Sequence, residues 1–232
     1  MTKTQSRIAR VASFVVLTVM VSTAASAYVL LSPARRWFST PRLVRVDQTG
    51  LNSISGPDPD RGVTAAVNAV KAWNTSVGGP TLSVTNAQSA AVAYVLGDGI
   101  SDLKFGDPLN ICKGSCIAAT TTGFFNAGQT GTCSYAGGGS LAVVAVTDAD
   151  IAFNLRFKYT TASEDPPGSG TCSNEIFLEA VTTHEVGHLI GLAHSAVSAA
   201  LMAPTVSFCV NKPLNSDDTL GRNALYNCAT FP

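Results

Sequence analysis

The strongest constraint on how this chain can fold is the run His184-Glu185-Val186-Gly187-His188-Leu189-Ile190-Gly191-Leu192-Ala193-His194, which holds all three histidines of the 232 residues. Residues four apart on an α-helix differ by about 40° around its axis. His184 and His188 therefore share a face and can reach one ion. Glu185 lies about 60° round from His188, beside that point and within reach of a water there. A helix that simply continued would turn His194 about 120° away from His188. The chain must leave the helix first, and Gly191 is the residue that takes positive φ without steric cost and ends it. Three converging imidazoles with a fourth position left open are the ligand set of a catalytic zinc centre. Any one histidine is ordinarily a core or surface residue, but that reading fails when all three stand at these offsets.

The remaining composition describes the body that carries this site. Apolar residues make up 46% and charged residues 13%, which is globular rather than disordered and suits one sizeable domain. The formal net charge of zero gives no steering toward nucleic acid or an anionic membrane. Lys3, Arg7 and Arg10, the apolar run Val11 to Val21 and Ala25-Ser26-Ala27 read as a signal peptide over 1–27, leaving Tyr28 as the new N-terminus. An uncleaved anchor from Val11 to Leu31 is the competing reading, but that stretch is barely long enough and is diluted by Ser and Thr. The expectation is a mature domain over 28–232, secreted to the extracellular space or periplasm, monomeric, and off the membrane once the signal is cut. All six cysteines follow that cut, an even count that points to disulfides in an exported chain. Six cysteines allow 15 connectivities. The one expected pair is Cys209–Cys228, which flanks the last helical stretch. No C-x-x-C pair favours a cysteine metal site.

Along the chain, Leu43, Val44 and Val46 predict a first strand, and Asn52 to Gly62 a loop. Asp58-Pro59 looks like a helix start; Val63, Ala66, Val67, Val70 and Trp73 give it a helical apolar face, ending near Gly78-Gly79. Ala91 to Leu96 is strand-like. Gly97 to Gly139 reads as loops around one strand, Ile117 to Phe125. Leu141 to Val146 and Ile151 to Phe157 are strand candidates, and Glu164 to Gly170 is a turn-rich loop. A helix carrying the histidines is predicted from Ser173-Asn174 to about Gly191. A last one runs from Ser216, with Asp217 and Asp218 in its first turn, to about Asn227. This order describes a single α/β (α+β) domain.

The histidine run resembles the metzincins, whose other hallmark is a methionine turn after the third histidine. Ala200-Leu201-Met202-Ala203-Pro204 stands in that place, and the resemblance implies that Met202 floors the metal site. Within the metzincins the chain looks most like the matrixins, the matrix metalloproteinase type. Ser195 directly follows the third histidine, Leu-Met-Ala-Pro is similar to Leu-Met-Tyr-Pro, and Asp217-Asp218 with Leu225-Tyr226 resembles the matrixin C-terminal helix. Pro204 stands where the astacins and serralysins carry a tyrosine. Ala149-Asp150-Ile151-Ala152-Phe153-Asn154 is similar to a strand of bacterial matrixin-like proteins, and the short form suits a microbe. The resemblance implies a twisted mixed sheet with two long helices, a zinc cleft and a small C-terminal subdomain with a helix.

It further implies a zinc endopeptidase acting on protein or peptide substrates. His184, His188 and His194 would hold one Zn²⁺, Glu185 would serve as general base, and Gly191 and Met202 would support the site. An extended substrate would lie along an edge strand, with Ile117 to Thr122 as the candidate. Asp217 or Asp218 would anchor a processed N-terminus, with helix capping the preferred role. The sequence also departs from the family. No histidine remains for a second, structural zinc, and no cysteine precedes Cys112 to form a cysteine switch. Calcium is compatible with Asp98, Asp102, Asp107, Asp148 and Asp150, which are more simply read as solvated loop acids, and none is assigned as a ligand. The rival reading is an exported zinc-binding or adhesion module without catalysis; its mark would be a lost base or ligand, and none is lost.

Overall fold

The computed structural model describes residues 27–53, 60–74, 79–85, 92, 94–123, 129–161, 172 and 174–231. Its elements in chain order are β1 (Arg35–Arg36), β2 (Arg42–Val46), α1 (Gln48–Asn52), α2 (Asp60–Ala72), β3 (Leu82–Val84), β4 (Ser101–Phe105), β5 (Ala118–Gly123), β6 (Thr130–Ser134), β7 (Ser140–Ala145), β8 (Asp148–Phe153), β9 (Lys158–Thr160), β10 (Glu175–Phe177), α3 (Leu178–Leu189) and α4 (Ser216–Tyr226). The main sheet has the order β3-β2-β4-β8-β5. Its first four strands run parallel, and β5 closes the edge antiparallel to β8, with Thr121 opposite Asp150. A three-stranded sheet β1-β7-β6 and the parallel pair β10-β9 complete the strands. The α+β class and the mixed sheet with two long helices are as expected. No helix among the described residues is long and apolar enough to cross a membrane.

Alternation along the strands sorts the sheet's two faces. Val44, Val46, Leu103, Ile151 and Phe153 are buried in one core with Ala66 and Val70 of α2, Trp73 just past its end, and Val186 and Leu189 of α3. The Trp73 indole N–H donates to the Thr183 carbonyl at 2.8 Å, so α2 fixes the height of α3. The alternate strand positions are polar and yet covered. Arg45 holds Asp102 through two bonds of 2.6 and 2.7 Å, and Lys104 pairs with Asp47 at 2.7 Å.

Several expectations change here. β4 and β6 lie inside the stretch read as loop. Ser-Asp-Leu-Lys-Phe hides its strand character because Asp102 is buried by ion pairing rather than by apolarity, and Thr-Gly-Thr-Cys-Ser has almost none to show. Val92 and Tyr94 to Leu96 form no strand, and the rest of Ala91–Leu96 lies outside the described residues. Asp58-Pro59, Gly78, Ser173, the loop Glu164–Gly170 and the signal segment through Ser26 also lie outside them. α1 precedes the predicted loop and ends on its first residue, Asn52, capped by the Asp47 carboxylate on the Gly50 amide. The predicted histidine helix begins later, because Ile176 and Phe177 are buried as strand β10 beside β9.

The disulfides are Cys112–Cys116, Cys133–Cys228 and Cys172–Cys209. The expected Cys209–Cys228 pair is wrong. The two residues stand beyond opposite ends of the 11-residue α4, about 16 Å of helix, whereas bridged Cα atoms lie about 4.4–6.8 Å apart.

Three of the acids read as solvated are buried in strands: Asp102, Asp148 and Asp150. Asp150 accepts from the Asp102 amide at 3.0 Å and Asp148 from the Gly97 amide at 2.7 Å. The second oxygens, Asp150 Oδ2 and Asp148 Oδ1, are buried without a partner among the described residues. Burial, with Asp148 beside it, pushes the Asp150 carboxyl up to about 8, so it is protonated at neutral pH. An unfolded aspartate titrates near 3.9. The stability this group contributes is thus full below about pH 4 and is lost as pH rises through about 8. Asp150→Asn keeps a donor without the proton. Melting curves from pH 5 to 9 should show the wild type losing ground to Asp150→Asn as pH rises; parallel curves would contradict a protonated Asp150.

Candidate metal centre and its cleft

α3 brings His184 and His188 together one turn apart, as the four-residue spacing requires. Their Nε2 atoms stand 3.1 Å apart. His184 Nδ1 lies 2.8 Å from the Leu201 carbonyl, and His188 Nδ1 lies 2.8 Å from the Leu192 carbonyl. A carbonyl can only accept, so each Nδ1 carries the proton and each neutral ring turns a bare Nε2 lone pair toward the other. Burial holds His184 down at about 3, with the neighbouring His188 adding to it, and burial also lowers His188 and His194. The rings are therefore neutral at physiological pH. Two lone pairs pointed at each other need a cation between them. A tetrahedral ion with Zn–N bonds of about 2.0–2.1 Å separates its nitrogens by about 3.3 Å, close to the spacing seen.

His194 completes the triangle, with ring centroids 5.2 Å from His184 and 4.8 Å from His188. The ligand atoms of the three lie within 4.8 Å of one another. No other trio of His, Cys, Asp or Glu atoms converges this way among the described residues.

Gly191 makes the exit from α3, at φ +111°. Its amide bonds to the His188 carbonyl, and the Leu192 amide reaches back to the Gly187 carbonyl at 2.9 Å, the paired bonds of a Schellman end. A Cβ at Gly191 would also collide with the Arg35 carbonyl oxygen. The departing chain is strapped by the N-terminal segment: Leu31 donates to the Gly191 carbonyl and Ala193 to the Val29 carbonyl. The last carbonyls of α3 find the Trp37 indole and the Tyr226 hydroxyl.

Met202 is buried below α3, its Sδ against Gly187. The Asp218 carboxylate holds this turn, accepting from the Leu201, Met202 and Asn215 amides at 2.9, 3.0 and 2.9 Å. It thus caps α4 together with Asn215 and ties the methionine turn to it. Asp217 accepts from the Ser195 hydroxyl at 2.6 Å and from the Ala27 amide at 2.9 Å. Asp218 thus takes the expected capping role, while Asp217 reaches the amide of Ala27, the last residue of the stretch read as signal peptide, and not the amine of a processed N-terminus.

Glu185 is buried beside the histidines. The Thr120 hydroxyl of β5 lies 2.6 Å from Glu185 Oε2. Burial raises the carboxyl to about 7, and the Thr120 bond opposes that rise. β5 is an edge of the main sheet, and Cys116, Ile117 and Ala118 line the cleft with His184, Glu185 and His194. The expected edge at Ile117–Thr122 therefore does flank the site. Sequence reasoning missed Thr120, Gly187 and the Met-turn role of Asp218. Gly187 sat in plain view inside the histidine run, but nothing local announced a contact with a methionine 15 positions on.

Adding a methyl group at Gly187 tests that contact. Its Cβ would run into Met202 Sδ and come to 2.9 Å from Trp73 Cζ2. Gly187→Ala should lose about 1–3 kcal/mol in urea melts and give up zinc at lower chelator concentration; unchanged zinc retention would show that Met202 does not brace the ligand helix.

Comparison with known proteins agrees with this geometry. The matrixin family model matches residues 118–227. The chain is 45% identical over 58 residues to matrix metalloproteinase-9 of Canis lupus familiaris, covering 25% of this chain and 8% of that protein. It is 48% identical over 50 residues to metalloendoproteinase 4-MMP of Arabidopsis thaliana, covering 21% of this chain and 15% of that one. To the 72 kDa type IV collagenase of Gallus gallus it is 38% identical over 68 residues, covering 29% and 10%. The matched stretch thus spans no more than 15% of any of these three relatives.

Proposed function

Starting from a chain that carries a matrixin-like catalytic domain, we propose that it is a zinc-dependent endopeptidase, exported behind a signal peptide over 1–27 and acting as a monomer outside the cytoplasm. The observation that carries this reading is the pair of bare Nε2 atoms 3.1 Å apart beside a buried Glu185. Three disulfides accord with an oxidising compartment.

His184, His188 and His194 would hold the ion, their neutral state secured by burial and, for the first two, by the Nδ1 bonds to backbone carbonyls. Bound zinc acidifies water and polarises a carbonyl. Glu185 takes a proton from the attacking water and returns it to the departing amine. Thr120 orients that carboxylate from the edge strand. The substrate peptide lies in extended form along β5, whose outer edge pairs with no other strand among the described residues. Calcium has no assigned part in this reading.

Zinc analysis together with casein or gelatin cleavage tests the proposal. Glu185→Ala should keep zinc and lose activity by at least about 100-fold, the usual worth of a general base. A wild type that holds zinc, cleaves no peptide and matches the mutant would leave the non-catalytic zinc module as the better account.

A further inference from the structure

The cleft runs from the histidines into a cavity of about 270 Å³. Ala180, Val181, Leu201 and Val206 give it apolar walls, and Lys212 stands among them as its cation. A second cavity of about 280 Å³ opens on the other side, and Ala180 and Lys212 line both. The partition between the two is therefore a methyl group and a lysine arm.

Lys212 is held in place by its own bonds. Its amine donates to the Ser198 carbonyl at 2.9 Å and the Ala200 carbonyl at 3.1 Å. An ammonium has three donors, so one remains without a partner among the described residues. Glu179 lines only the second cavity, so the first has a fixed positive charge and no acid at that end.

We propose that Lys212 sets the specificity of the cleft by selecting, beside the scissile bond, a side chain with an apolar stem and an acidic end, glutamate above all. The inference rests on the endopeptidase reading and deepens it. Val181, Leu201 and Val206 bury the methylenes, and the carboxylate meets the free ammonium donor. An uncharged leucine offers that donor no partner, whereas a carboxylate adds a charge-assisted hydrogen bond.

The test is a peptide library varied at the positions flanking the cleaved bond, read as the ratio of kcat/KM for glutamate over leucine at the preferred position. The ratio compares two substrates on one preparation, so partial misfolding of a variant does not move it. Wild type should favour glutamate by about tenfold or more, the worth of one charge-assisted hydrogen bond. Lys212→Met and Lys212→Gln should bring the ratio to one or below, and Lys212→Arg should keep it above one. A wild-type ratio of one or less, or one that Lys212→Met and Lys212→Gln leave unchanged, overturns the role of Lys212 while peptide cleavage by wild type leaves the endopeptidase reading standing. Absence of cleavage by wild type overturns both.

Discussion

Two imidazole nitrogens facing each other at 3.1 Å, each with its second nitrogen committed to a backbone carbonyl, form the point around which this domain is arranged. The carbonyls belong to Leu201 and Leu192, neither of them in α3. Ring orientation therefore depends on the loop after the helix and on the methionine turn. The same two segments deliver His194 and Met202. Moving either one would rotate a ring, which is why each is fastened several times over.

The fastenings come from the two ends of the described chain. The Asp218 carboxylate gathers the Leu201, Met202 and Asn215 amides, while Asp217 takes Ser195 and Ala27. Val29 and Leu31 pair with the loop that leads to His194. α4 is thus more than a C-terminal appendage: its first turn is a bracket for the metal centre. Buried carboxylates that accept several backbone amides are strong anchors, since charged acceptors make the stronger hydrogen bonds.

Much of this was legible in the sequence where a residue's role is local. The helix, its glycine exit and the return of His194 followed from angles, and Gly191 at φ +111° fills the role assigned to it. α4 was found from Ser216 and its two acids because capping is a short-range signal. The polar strand β4 was not found. Its Asp102 is buried against Arg45 of β2 and its Lys104 is half-buried against Asp47 beside that strand, and a partner 57 residues away leaves no periodicity to read. The disulfides failed for the same reason, since proximity along the chain placed Cys209 and Cys228 together while a helix held them apart. Thr120 lay in the strand correctly named as the edge, yet its bond to Glu185 depends on how β5 packs on α3.

The disulfides show how a site built from loops is kept in register. Cys172–Cys209 joins the approach to α3 with the loop after the methionine turn, so both ends of the ligand-bearing stretch are closed on each other. Cys133–Cys228 fixes the end of α4 to the β6-β7 hairpin. Cys112–Cys116 closes a short loop just ahead of β5, at the cleft wall. Chain-entropy reasoning gives the bridges spanning 95 and 37 positions about 4–5 and about 4 kcal/mol each, and the four-residue one about 2. The two long bridges constrain the large-scale arrangement that holds α3 and α4 together. The short one adds the least to global stability, and its further consequence is local: it restrains the backbone from which the edge strand, and with it Thr120, sets out toward Glu185.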